Sequence, residues 1–119
     1  MTHAEFNEQM RLRLRVYAVD ALKFLDGLKP GNSVQVIRYQ LAKSVTSTGA
    51  NFRAFCRGRS AKERFAKICI VVEEADETIY WLEILGDILL PNPPKLQELK
   101  NEGNEILKIV SKIKSSHKR

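Results

Sequence analysis

Apolar positions in the first quarter of the chain recur at steps of three and four. Phe6, Met10, Leu14, Tyr17, Ala21, Phe24 and Leu28 fall on one helical stripe, with Leu12 and Val16 read as widening it. Asp26-Gly27 weakens the end of this segment. Pro30-Gly31 terminates it, because proline restricts its predecessor and glycine turns the chain readily. The first helix is therefore predicted over Glu5 to Leu28. Asn32 or Ser33 then supplies a capping oxygen for a second helix. Its inward stripe is Ile37, Leu41, Val45, Thr48, Phe52 and Phe55, with Val34, Ala42 and Cys56 beside it. Thr46, Ser47, Thr48 and Gly49 are weak helix formers, yet small side chains also suit a tight helix crossing. The segment is read as one helix to about Cys56, followed by a turn at Arg57-Gly58-Arg59.

Ser60-Ala61-Lys62-Glu63 has capping-box spacing, in which Ser60 and Glu63 satisfy each other's exposed amides. Phe65, Ile68, Cys69, Val72, Ala75, Ile79, Leu82, Leu85 and Leu89 follow at helical intervals. The run Ile68-Cys69-Ile70-Val71-Val72 has strand character, but the periodic residues on either side favour one long helix. At about 30 residues it would span about 45 Å. Pro91-Asn92-Pro93-Pro94 stops it, with Asn92 expected to cap the last helix and Pro93 to sit near its first position. Leu96, Leu99, Ile106, Ile109 or Val110, and Ile113 form the last stripe, in which Gly103 either weakens the middle or permits close packing. The expected fold is all-α, an antiparallel up-and-down four-helix bundle formed by one domain over 1–119. Its ends, about 1–4 and 115–119, are expected to fray.

The length of 119 residues suits one domain and leaves little chain for a second. Cys56 and Cys69 lack the spacing of a redox or zinc pair and read as buried free thiols, which fits a reducing cytoplasm. Arg11, Arg13 and Arg15 interrupt Leu12 and Leu14, so the start of the chain has no signal-peptide core. No apolar run is long enough for a membrane span, and a cytoplasmic protein is expected.

The formal charge of +6 is unevenly placed. Arg53, Arg57, Arg59, Lys62, Arg64 and Lys67 precede Glu73, Glu74, Asp76, Glu77, Glu83 and Asp87. The cations gather at the turn between the second and third helices. Lys43, Arg53, Arg57, Arg59, Lys62 and Lys67 are the candidates for nucleic-acid contact, since arginine clamps phosphate bidentately and lysine adds less directional attraction. Lys108, Lys112, Lys114, Lys118 and Arg119 make a second basic run at the end of the last helix. Glu73, Glu74 and Glu77, with Tyr80 and Trp81, are candidates for contact with another subunit. A metal centre in a bundle usually needs acids or histidines from several helices, whereas His3 and His117 lie at the ends. No phosphate-loop, dinucleotide, zinc-protease or nucleophile-elbow motif occurs, and neither cysteine has an evident histidine partner. No catalytic residue, metal ligand or cofactor is expected.

The stretch GANFRAFCRGRSAKERFAKICIVVEEADETIYWLEIL resembles the signature of a bacterial four-helix-bundle family that includes proteins encoded by intervening sequences in 23S ribosomal RNA genes. The resemblance takes in the approach from Arg38 to Ser44, Asn51, the turn through Arg59-Ser60, and Glu63-Arg64-Phe65. It implies a bundle that assembles as a cyclic homopentamer. A related branch, the accessory proteins of diversity-generating retroelements, implies a protein partner such as a reverse transcriptase and contact with RNA or DNA. Many relatives carry Asn-x-x-Glu-Gly-x-x-Arg-x-Ser. Asn51 and Ser60 match that pattern, but Ala54, Phe55 and Gly58 replace its Glu, Gly and Arg. The leading expectation is a non-catalytic homo-oligomeric assembly protein, and the second an RNA- or DNA-binding accessory protein with a multivalent basic surface.

Overall fold

Threonine two residues into the chain starts the first helix earlier than its apolar pattern predicts. Thr2 Oγ1 accepts from the Glu5 amide at 3.1 Å, and Glu5 Oε1 accepts from the Thr2 amide at 2.8 Å. This reciprocal cap satisfies two of the donors that a helix start leaves unpaired. The computed structural model describes residues 1–117, among which there are four helices and no strand. They are α1 (His3–Asp26), α2 (Asn32–Cys56), α3 (Ala61–Ile88) and α4 (Pro94–Ser116). Lys118 and Arg119, expected to fray and to extend the basic end, lie outside the described residues.

Each helix packs on its chain neighbours, and α4 returns to α1, while the backbones of the diagonal pairs, α1 with α3 and α2 with α4, do not approach each other. Short connections and this ring of contacts make the antiparallel up-and-down bundle, with extents of 45 × 25 × 19 Å. The core of α1 is Met10, Leu14, Tyr17, Ala21 and Leu25. Leu12 and Val16 do not widen that stripe, being 61% and 52% exposed. At about 100° per residue, Leu12 points about 200° away from Met10, so two-residue spacing puts it on the far side of the helix. Every residue of the stripe predicted for α2 is buried.

Helix α2 runs unbroken through Thr46 to Gly49. Thr46 Oγ1 donates to the Ala42 carbonyl at 2.7 Å and Thr48 Oγ1 to the Ser44 carbonyl at 2.8 Å, which satisfies both hydroxyls inside the helix. Ser44 and Thr78 are buried where α2 meets α3, their hydroxyl oxygens 2.9 Å apart. Small polar side chains thus mark a tight crossing. On α3, Val71 rather than Val72 enters the core, and on α4 Val110 is buried while Ile109 is half-buried. Gly103 permits close packing: a Cβ there would lie 2.6 Å from the Tyr17 hydroxyl oxygen.

Three caps differ from expectation. Gly31 takes the extended position before α2 with no side-chain cap, so neither Asn32 nor Ser33 serves. Pro93 takes the same position before α4 and Pro94 opens that helix; Asn92 instead turns back to donate to the Gly86 carbonyl at 3.2 Å. Ser60 Oγ accepts from the Glu63 amide at 3.0 Å, whereas Glu63 reaches the Arg59 amide, not that of Ser60.

Candidate interaction surfaces

The turn between α2 and α3 is closed by Arg64, whose Nη1 donates to the Gly58 carbonyl at 3.1 Å. A Cβ at Gly58 would overlap Arg64 Cγ, so glycine is what lets this side chain lie against the turn. Arg64 is thereby drawn inward. Arg53, Arg57, Arg59 and Lys62 remain exposed around the corner, while Lys67 is half-buried. Arg59 Nε lies 3.8 Å from Glu63, but its side chain is 89% exposed, so solvent screens the pair. Arg53, Arg57, Lys62 and Lys67 make no ion pair among the described residues.

Lys43 does not join this corner. It lies ten residues before Arg53, about 15 Å along the helix, and its charge acts on Glu74. Glu74 is half-buried, and burial raises its carboxyl above the usual carboxylate range, opposed by a hydrogen bond from Ser47 and by Lys43. Asn51, shared with the motif of the resembled family, donates to the Ser47 carbonyl at 2.9 Å. It therefore bonds within α2.

The acidic candidates separate into two sets. Glu73 and Tyr80 are exposed, whereas Glu74, Glu77 and Trp81 are half-buried, with Trp81 packed against the core. Tyr80 rests edge-on against Trp81 with ring centroids 5.0 Å apart. Asp76, Glu83 and Asp87 continue the exposed side of α3, and none of these acids forms an ion pair among the described residues. The outer face of α1, with Leu12, Val16 and Val19 exposed, was not singled out from the sequence. Its signal was present: these three recur at steps of four and three, opposite the core row of Met10, Leu14 and Tyr17.

An open apolar groove of about 580 Å³ lies where the start of α1 meets the ends of α2 and α4, floored by Phe6, Phe55, Ile109 and Ile113. His117 closes one side, edge-on to Phe55 at 5.1 Å. Cys56 and Cys69 are free, as expected, but half-buried because they flank the Phe55 and Ile68 core positions. Burial raises the Cys56 thiol, with Arg11 opposing the shift. Among the described residues no group of His, Cys, Asp and Glu could hold a metal, and no helix is long and apolar enough to cross a membrane. What the chain presents is a set of contrasting surfaces: a cationic corner, an acidic row and an apolar face.

This architecture is similar to that of a solved bacterial structure. The chain is similar to a member of the S23 ribosomal protein family. That protein, from Bacteroides thetaiotaomicron, is described as having unknown function; the two are 27% identical over 92% of this chain and 97% of the other, with a TM-score of 0.80. No family model matches the chain, and no curated protein does. The likeness to this S23-family protein spans all four helices and carries no reaction with it.

Proposed function

We propose that the protein is a non-catalytic, homo-oligomeric helical assembly protein, with the homopentamer implied by the sequence resemblance as its form and the cytoplasm as its compartment. The observation that carries this reading is the row of exposed acids on α3, unpaired among the described residues and centred on an exposed tyrosine. Acids in water need no partner, but an aromatic side chain 54% exposed among them is the composition of a contact surface. Light scattering should give a multiple of the 13.6 kDa chain mass at micromolar concentration, five for the pentamer. A single-chain mass would reject the reading. Glu73→Lys combined with Glu77→Lys should lower the assembled mass.

A second reading, an RNA- or DNA-binding accessory protein, is favoured by the cationic corner. Arg53, Arg57 and Lys62 are exposed and unpaired among the described residues, and a ring would present the corner several times. A reverse transcriptase as the accompanying protein rests on the sequence resemblance alone. Arg57→Glu with Arg59→Glu should abolish nucleic-acid binding without changing the assembled mass, and wild-type affinity should fall steeply with salt. Retained binding by the double variant would dismiss this corner as the site.

A further inference from the structure

We infer that the outer face of α1 docks onto the outer face of α3 of a second copy of this chain, in a heterologous contact that repeats from copy to copy. The inference rests on the assembly reading and names the two surfaces that make it. Between positions 12 and 23 the exposed residues of α1 are Leu12, Arg15, Val16, Val19 and Lys23. Three are aliphatic and two are cations. Between 73 and 87 the exposed residues of α3 are Glu73, Asp76, Tyr80, Glu83 and Asp87, four acids around one aromatic ring.

The two rows match in charge, in chemistry and in length. Their spans are about 17 and 21 Å at the helical rise, so one can lie along the other. Leu12, Val16 and Val19 are 61%, 52% and 42% exposed, on the side of α1 that faces away from the core. A three-residue aliphatic row there gains nothing from the bundle's own packing, whereas covering it with Tyr80 removes apolar surface from water on both sides. Arg15 and Lys23 then meet acids that form no ion pair among the described residues of their own chain. The nearby charges of α1 leave this face clear, since Arg13 is held by Glu102 at 2.8 Å and Asp20 by Lys95 at 3.5 Å.

The position of the two helices sets the symmetry. Helices α1 and α3 are diagonal in the bundle, their backbones making no close approach, so their outer faces look away from each other. A contact joining such faces uses different patches on the two copies. It leaves one face of each kind open at the ends of a dimer, and adds copies until a ring closes or a filament grows. An isologous pairing of α1 with α1 would stop at two.

The test uses two variants of the full chain, each altered on one face at exposed positions. Leu12→Glu with Val16→Glu places acids against the acidic row; Tyr80→Lys with Glu83→Lys places cations against the cationic one. Each variant alone should run as a single chain of 13.6 kDa in light scattering, with a circular dichroism spectrum that shows the bundle is intact. Mixed in equal amounts, they should associate, because the intact α1 face of one variant meets the intact α3 face of the other. A wild-type protein of single-chain mass would overturn the assembly reading itself. An assembled wild type with either variant, still helical, keeping the wild-type mass would overturn this pairing alone. So would a mixture that stays monomeric.

Discussion

Phe52→Ala should lower the free energy of unfolding by about 3–5 kcal/mol, read from denaturant titration followed by circular dichroism. Phe52 is fully buried on the inward stripe of α2, 5.6 Å from the Phe55 ring between centroids. Truncation removes the transfer free energy of the ring and leaves a cavity that the surrounding helices fill only partly. Domains of this size are stable by about 5–15 kcal/mol, so the variant gives up a large part of the total. A loss below about 1 kcal/mol would show that α2 does not bury this ring as described.

Gly103→Ala should destabilise the bundle by about 1–2 kcal/mol, although alanine is better than glycine by about 1 kcal/mol in an isolated helix. The opposing term is steric. An added Cβ would lie 2.6 Å from the Tyr17 hydroxyl oxygen and 3.2 Å from Ile79 Cγ1, where α4 crosses α1 and α3. The Tyr17 hydroxyl is buried without a hydrogen-bond partner among the described residues, and burial, aided by the charge of Glu102, raises its pKa. Tyr17→Phe should therefore cost little, since it removes an oxygen that makes no bond. In the Tyr17→Phe background Gly103→Ala should become neutral or stabilising. The double-mutant cycle reads that reversal directly, and additive losses would exclude the contact.

The same pair shows how far the apolar pattern carries. Tyr17 falls on the predicted stripe of α1, and Gly103 is conspicuous in α4, but nothing in their spacing says that they meet. The stripe of α2 was legible in full because Ile37 to Phe55 recur without a competing apolar row. In α1, Leu12 and Leu14 compete for the same face, and only helix geometry sends them to opposite sides. The second row of Leu12, Val16 and Val19 is visible at helical spacing, but reading Leu12 and Val16 as a widening of the first row hides it. In α4 the choice between Ile109 and Val110 depended on its rotation, which neighbouring helices set.

The candidate surfaces divide in the same way. That Arg53 to Lys62 gather at a corner follows from a turn between two helices, and the chain order alone places them there. That Arg64 leaves the cluster to close the turn depends on the space beside Gly58. Glu73, Glu74 and Glu77 read as one acidic set, but about 100° between Glu73 and Glu74 turns one outward and the other toward Lys43 and Ser47.

The sequence by itself determined the number of helices, their order and the stripes that most of their core residues form. Those are local matters, settled by apolar spacing and by Pro91 to Pro94, Gly31 and Ser60 between the runs. Only the tertiary structure decided which apolar side chains remain outside, because exposure is a property of how four helices rotate against one another. It also decided that α1 and α3 stand on the diagonal, with an apolar, cationic face on one and an acidic, aromatic face on the other pointing away from each other.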